Sequence, residues 1–255
     1  LRHGAAAVTT NPAREGYAFG GWYLDSGAAE PFDSIMPASS LTVYAKWVAG
    51  KCNYLVEHYV MQTNGSHPAT ADKTENQTGT ADSSLTLADL KDGALEVANG
   101  IVYKNGEVNG QIVTNTTIAA DGKRVIKLYY ERKQHNLNWN LNGGSASNSY
   151  TQGQVYYDAD ITVPEAVMVG HSLTWDPVHT GRMPASDTTY NALWTTRNYT
   201  ITFDSAGGTV VPPIEQAYGS AVTPPANPTR TGYSFNGWLK NGNPYTIDTM
   251  PAESI

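Results

Sequence analysis

One pattern recurs three times along this chain, and a recurrence of that kind constrains architecture more tightly than local propensity does, because each copy must close as the same small unit. The first copy reads Asn11-Pro12-Ala13-Arg14-Glu15-Gly16-Tyr17-Ala18-Phe19-Gly20-Gly21-Trp22-Tyr23, then Met36-Pro37-Ala38 and Val43-Tyr44-Ala45-Lys46-Trp47. The last reads Asn227-Pro228-Thr229-Arg230-Thr231-Gly232-Tyr233-Ser234-Phe235-Asn236-Gly237-Trp238-Leu239, then Met250-Pro251-Ala252. Between them lies a worn copy, Gly170-His171-Ser172-Leu173-Thr174-Trp175, then Met183-Pro184-Ala185 and Tyr190-Asn191-Ala192-Leu193-Trp194. The interval from Met-Pro-Ala to the closing Trp is the same in the first and worn copies. The openings of the later two copies also align, Leu137-Asn138-Trp139-Asn140-Leu141-Asn142-Gly143-Gly144 with Ile201-Thr202-Phe203-Asp204-Ser205-Ala206-Gly207-Gly208.

Each shared residue has a physical task. Apolar and polar residues alternate before the Gly-Gly pairs, the signature of a half-buried strand ending in a hairpin turn, with Leu137, Trp139 and Leu141 on one face. Gly16 and Gly232 end an Asn-Pro-x-Arg-x run, where a turn must finish before a strand starts. Tyr17, Phe19 and Trp22, and correspondingly Tyr233, Phe235 and Trp238, supply the bulk for a core, as do Trp47, Trp175 and Trp194. A Trp buries on the order of 200 Å², and a domain of about 65 residues has little else to rely on. Met-Pro-Ala breaks any preceding helical turn and launches a last strand that alternates Leu41, Val43, Ala45 and Trp47 with Thr42, Tyr44 and Lys46.

Composition agrees with a mostly β chain. Aromatics make up 10% of the 255 residues, with 16 Tyr and 6 Trp, too many for disorder. Thr, Asn, Gly, Tyr and Val favour strands and turns. The net charge of -7 argues against a nucleic-acid partner, which calls for a basic face. No apolar run approaches the roughly 18 to 20 residues that cross a bilayer. The single cysteine, Cys52, excludes an intrachain disulfide and a multi-cysteine zinc site and reads as a small apolar residue at a strand start.

The Gly-Tyr-x-Phe-x-Gly-Trp … Met-Pro-Ala … Tyr-Ala-x-Trp pattern resembles the Listeria–Bacteroides repeat, also called the internalin B-repeat, strongly over residues 4–47 and 198–255 and weakly over 135–194. The resemblance implies a small β-grasp-like fold, a short helix or turn on a four-stranded sheet, in extracellular bacterial proteins. The worn copy departs from the pattern by one residue before Trp175 and by a shorter hairpin to Met183.

Residues 52–133 do not fit the repeat. Tyr54-Leu55-Val56-Glu57-His58-Tyr59-Val60 and Val125-Ile126-Lys127-Leu128-Tyr129-Tyr130 read as strands, and Ser83 to Gly93 as a short helix with Ser at its N-cap and Gly near its C-cap. The Val-Glu-His-Tyr opening and Asp-Gly-x-x-Val-x-Lys-Leu-Tyr-Tyr close are similar to mucin-binding-protein (MucBP-like) domains. The expected organisation is therefore α+β and mostly β: a B-repeat lacking its first strand at 1–49, a MucBP-like domain at 50–133, a degenerate B-repeat at 134–196 and a B-repeat lacking its last strand at 197–255. Linkers of three or four residues, Val48 to Lys51, Arg132 to Gln134 and Thr195 to Arg197, predict a semi-rigid rod. The incomplete terminal copies predict disordered ends or head-to-tail self-association through unpaired strands.

Motifs of chemistry are missing from the sequence. The six histidines lie at no metal-binding spacing, and no nucleophile elbow, P-loop or dinucleotide fingerprint occurs. Gly143-Gly144 and Gly207-Gly208 precede no helix and so cradle no phosphate. The sequence predicts no catalytic residue, no metal and no cofactor. The aromatics outside the motif, Tyr103, Tyr129, Tyr130, Tyr156 and Tyr157, read either as exposed platforms for a sugar ring or protein hot spot or as cross-strand packing. Because Tyr129 and Tyr130 are adjacent on a strand, one of them faces outward. Together with the resemblance, this leads to the expectation of a cell-surface adhesin segment that binds a host glycoprotein or protein (mucin, receptor or immunoglobulin). The alternative is a passive stalk presenting a distal domain.

Overall fold

The structure, a computed structural model, describes residues 2–7 and 10–255. Almost all regular structure is strand; a 3-10 turn at Leu87–Leu90 is the one helical element among the described residues. Two compact units result, Leu1–Gln134 with Tyr156–Asp158, and His135–Val155 with Ala159–Ile255.

The first unit is organised by the strand Lys51–Val60, whose alternation sends Cys52, Tyr54, Val56 and His58 to one buried face. It pairs in parallel with Arg124–Arg132, from Tyr54 opposite Arg124 to Val60 opposite Tyr130. Antiparallel neighbours flank this central pair. Lys73–Thr80 lies outside the first strand, and Ile101–Val108 followed by Gln111–Val113 outside the second, giving five strands. Ile126, Leu128 and Tyr130 join the same core and are fully enclosed. The first copy of the repeat contributes an antiparallel pair, Tyr17–Tyr23 with Tyr44–Ala49, bulged between Phe19 and Trp22. Phe19 stacks edge-on against both Trp22 and Trp47 at 5.3 and 5.8 Å. Two strands cannot enclose a core, and no described residue before Cys52 is buried.

The helix expected over Ser83 to Gly93 does not form. Ser84–Thr86 is drawn into a strand pair with Asn115–Thr117, which leaves the single turn Leu87–Leu90. Its N-terminal residue is Thr86, without a side-chain cap, and Lys91 is already extended. Leu87 is completely buried and sits directly on Gly106 of the sheet, where any side chain would collide with it. One leucine over one glycine thus does the covering for which a longer helix was expected.

In the second unit the worn copy folds as a four-stranded sheet in the order Gly153–Tyr156, Gln134–Asn140, Thr188–Thr196, His171–Asp176. Its first and last strands again run parallel, Leu137 opposite Thr188 and Trp139 opposite Tyr190. Leu137, Ile161, Met183 and Tyr190 form the core, with Trp139 and Trp175 packed edge-on at 4.9 Å. Trp194 donates its indole N–H to the Leu141 carbonyl. The last copy pairs Asn198–Ile201 with Ile214–Ala217 and forms a small hairpin, Trp238–Lys240 with Asn243–Tyr245. Its core is Ile201, Val222, Ile247 and Met250. Ser234 to Gly237 forms no strand. The Gly-Gly sites do turn the chain, with Asn142 and Ala206 at positive φ, but neither closes a tight hairpin; Gly207-Gly208 lies in the long connection between Asn198–Ile201 and Ile214–Ala217. After the first turn, Ser145–Ala146 pairs instead with Ala166–Val167.

The short linkers are not slack. Gly50 alone separates two strands, and so does Arg197. Gly50 donates its N–H to the Gly16 carbonyl, and its own carbonyl accepts from Ala81. Arg197 repeats this arrangement, donating to Gly170 and accepting from Tyr218. The motif glycine packs closely on a residue far along the chain in both places, Gly16 on Ala120 and Gly170 on the Tyr218 ring. Lys133 has the same two bonds, to Gly100 and from Tyr157.

Candidate binding surface

The outer face of the five-stranded sheet gathers polar and aromatic residues that alternate with its core. From Lys51–Val60 come Glu57 and Tyr59, from Arg124–Arg132 Lys127 and Tyr129, and from Ile101–Val108 Glu107. The parallel register sets Tyr59 opposite Tyr129, and their rings stack at 5.3 Å and 27°. His67 approaches the Tyr129 ring edge-on at 5.0 Å. The Tyr59 hydroxyl donates to Glu57 at 2.8 Å and that of Tyr129 to Glu107 at 3.1 Å. Lys127 lies 5.9 Å over the Tyr59 ring and 3.8 Å from the Glu107 carboxylate. Burial, then Glu57, pushes the Tyr59 phenol up to about 12, and burial with Glu107 raises that of Tyr129. Both phenols therefore remain protonated donors at neutral pH. Next to Tyr129 across the strand pair, Asn105 holds a carbonyl oxygen with no partner among the described residues.

The five tyrosines read from the sequence separate in this structure. Tyr129 is the outward member of its pair and only half-buried, while Tyr130 is fully enclosed in the core. Tyr103 packs edge-on against Tyr130 at 6.0 Å and faces inward with it, and burial raises its pKa. Tyr156 lies against Gly65, and Tyr157 against Gly100 with the Arg132 guanidinium 5.7 Å from its ring. The structure thus brings only Tyr129 of the five to the outer face, and adds His67 and, itself only 8% exposed, Tyr59. Those two were not legible as candidates, because a register between strands seventy residues apart leaves no trace in local spacing. The parity of Glu57 and Tyr59 with Lys127 and Tyr129 was the available signal.

Of the motif aromatics, Tyr17, Phe19, Trp22 and Trp47 line the first pair of strands, with Arg14 3.9 Å over the Tyr17 ring. Arg230 repeats that contact over Tyr233 at 4.1 Å, and Phe235 meets Trp238 at 5.0 Å. The same local chemistry thus recurs at both ends of the sequence.

Residues 3–46 and 199–255 match the Listeria-Bacteroides repeat domain. Over 264 aligned residues the chain is 26% identical to a protein of Evansella cellulosilytica described as a Gly-rich membrane protein, covering 91% of this chain and 28% of that protein. Internalin H of Listeria monocytogenes is 37% identical over 86 residues, 32% of this chain and 15% of its own length. A second Evansella cellulosilytica protein, described as a membrane protein, is 32% identical over 128 residues and is covered to 19%. The chain therefore spans less than a third of the length of these relatives. No helix among the described residues is long and apolar enough to cross a membrane.

Proposed function

We propose that this chain is a binding segment of an extracellular bacterial surface protein, and that the outer face of its five-stranded sheet contacts a glycan on a host glycoprotein such as a mucin. The half-buried Tyr129 ring, backed by the buried Tyr59 and rimmed by Glu57, Glu107, Lys127 and His67, carries the proposal. A sugar offers an apolar ring face and a fringe of hydroxyls. An aromatic ring with carboxylates at its edge answers both, in the manner of binding sites with few polar groups around an apolar surface. In this reading residues 50–133 are the MucBP-like module. In the same reading they and the worn copy are β-grasp-like: in each the first and last strands pair in parallel, Lys51–Val60 with Arg124–Arg132 and Gln134–Asn140 with Thr188–Thr196. The segment acts by binding and performs no catalysis.

The test is retention on immobilised intestinal mucin by the parent chain and by Tyr129→Ala, with circular dichroism to verify folding. A loss of binding of roughly tenfold or more is expected, the size of a hot-spot truncation. Equal retention by the two folded proteins would sink the proposal. A spacer role for the worn copy is supported by a separate observation: it folds as a four-stranded sheet over a core of Leu137, Met183 and Tyr190 although its motif has drifted.

A further inference from the structure

The outer face of the worn copy's four-stranded sheet is built almost entirely from neutral hydrogen-bonding groups. Its first strand, Gln134–Asn140, turns Leu137 and Trp139 to the core and Asn136, Asn138 and Asn140 outward, all three exposed. The registers set Asn138 opposite Thr189 and Asn140 opposite Asn191, and on the next strand Thr174 opposite Leu193. Over Gln134–Asn140, Thr188–Thr196 and His171–Asp176, the outward positions carry no Lys, no Arg and no aromatic ring. Leu193 is their one apolar side chain, and Asp176, at the end of a strand, their one carboxylate. The amides hold one another in place. Gln154 donates to Asn136 Oδ1 at 2.8 Å, Asn136 to the Asp187 carboxylate at 3.3 Å, and Asn140 to Asn191 Oδ1 at 3.3 Å. Each amide keeps donor and acceptor capacity beyond these bonds.

Packing does not account for these residues. Asn is depleted in strands, yet it fills three successive outward positions of a strand with neighbours on both sides. The aligned segment of the last copy has Thr200, Thr202 and Asp204 there. A spacer needs only a soluble surface, which interspersed charges supply, so that role leaves the face unexplained. The chemistry on offer selects the partner. A protein interface calls for an apolar or aromatic centre and nucleic acid for a row of cations, and this face has neither. Amides and hydroxyls, each donor and acceptor at once, match the neighbouring hydroxyls of a sugar. Adjacent strands lie about 4.8 Å apart, close to the advance of one sugar along an extended chain. We propose that this face binds an extended, uncharged polysaccharide of β-1,4-linked sugars laid across the strands, with Asn138, Asn140 and Asn191 as its central contacts. The bonds that already orient the amides reduce the side-chain freedom lost on binding. Without an aromatic platform each sugar contributes little, so affinity grows with chain length. The proposal does not rest on the tyrosine face, which lies on other strands and takes its glycan against a ring.

The probe is the hexasaccharide of β-1,4-linked glucose, titrated into the whole chain while the side-chain amide resonances are followed by nuclear magnetic resonance. Shifts at Asn138, Asn140 and Asn191 are expected, and the corresponding disaccharide should bind about tenfold or more weakly. The double variant Asn138→Thr/Asn140→Thr puts strand formers at both places and should stay folded. Its affinity for the hexasaccharide should fall by about tenfold or more, the size of a lost pair of contacts. No shift of these amides at millimolar hexasaccharide overturns the proposal, as does unchanged affinity in the folded double variant. Tighter binding of the same hexasaccharide oxidised at C6 to carboxylates would overturn the uncharged class. Shifts confined to the Tyr129 face also overturn it, and leave the tyrosine reading standing. Conversely, mucin retention that Tyr129→Ala does not change, beside hexasaccharide shifts at the asparagines, removes that reading and keeps this one.

Discussion

Tyr130 turns its hydroxyl into the core, between His58 and Asp92. Its hydroxyl oxygen accepts the Asp92 N–H at 2.7 Å and lies 2.9 Å from Nδ1 of His58, whose Nε2 has no hydrogen-bond partner among the described residues. His58 is fully buried, and Glu75 stands 3.7 Å from that nitrogen. Removing the hydroxyl in Tyr130→Phe leaves two buried groups unpaired and is expected to cost about 1–3 kcal/mol in urea unfolding. Tyr129→Phe, on the outer face, should stay within about 1 kcal/mol. Equal costs would show that the burial difference has no energetic weight. Burial lowers the His58 pKa against the opposing pull of Glu75 and Asp92, while the Lys73 charge adds to the lowering. A folded value below the unfolded one, about 6.5, means that protons bind the unfolded chain more tightly. Stability is then intact above about pH 6.5 and declines as pH falls below it. Glu75 and Asp92, held low chiefly by Lys73, lose their own contribution only in more acidic solution. The melting temperature should therefore drop between pH 7 and pH 5.5 in the parent, and less in His58→Gln; identical slopes would contradict this. That one of the two tyrosines faces outward was legible from adjacency alone. Which one did so depended on the strand's partners, and the Tyr130–His58–Asp92 chain joins residues too far apart in sequence for spacing to reveal.

Most strands could be read from alternation, because a pleat with one buried face writes period two into the chain. The helix over Ser83 to Gly93 was misread for a related reason. Its capping residues were present, but Leu85 and Leu87 answered to the strand Asn115–Thr117 and to Gly106, neither visible in a local window. The motif glycine was legible as the end of a turn and not as part of a joint, since its contact Tyr218 lies a whole domain further on. Gly170 combines a φ of +74° with direct contact to the Tyr218 ring, whereas Gly219 has a φ of +73° and open space around its Cα. Alanine at Gly219 should cost only the left-handed backbone strain, on the order of 1 kcal/mol. Alanine at Gly170 adds an overlap that must displace Tyr218, and should cost roughly 1–3 kcal/mol more. Denaturant unfolding followed by the second unit's tryptophans compares the two, and equal losses would remove the joint from the account.

Across the whole molecule, one motif is buried to different depths. The repeat and its closing strand were plain in the sequence, yet nothing in the motif states how much of a core each copy encloses. Met183 and Met250 occupy the same place after the same drifted or intact pattern, and both are 1% exposed because opening strands cover them. Met36 follows an intact motif but belongs to a copy with two strands, and it stays half-buried. The difference lies in strand count, since the number of faces a strand pair can close determines whether its side chains leave water. Met183→Ala should open a cavity among Leu137, Ile161 and Tyr190 and cost about 2–5 kcal/mol. Met36→Ala, where water already reaches the side chain, should cost about 1 kcal/mol or less. Urea denaturation of the two variants beside the parent decides the matter. A Met36 loss as large as that of Met183 would mean that the first copy buries its motif in solution, and that strand pairs beyond those described complete it.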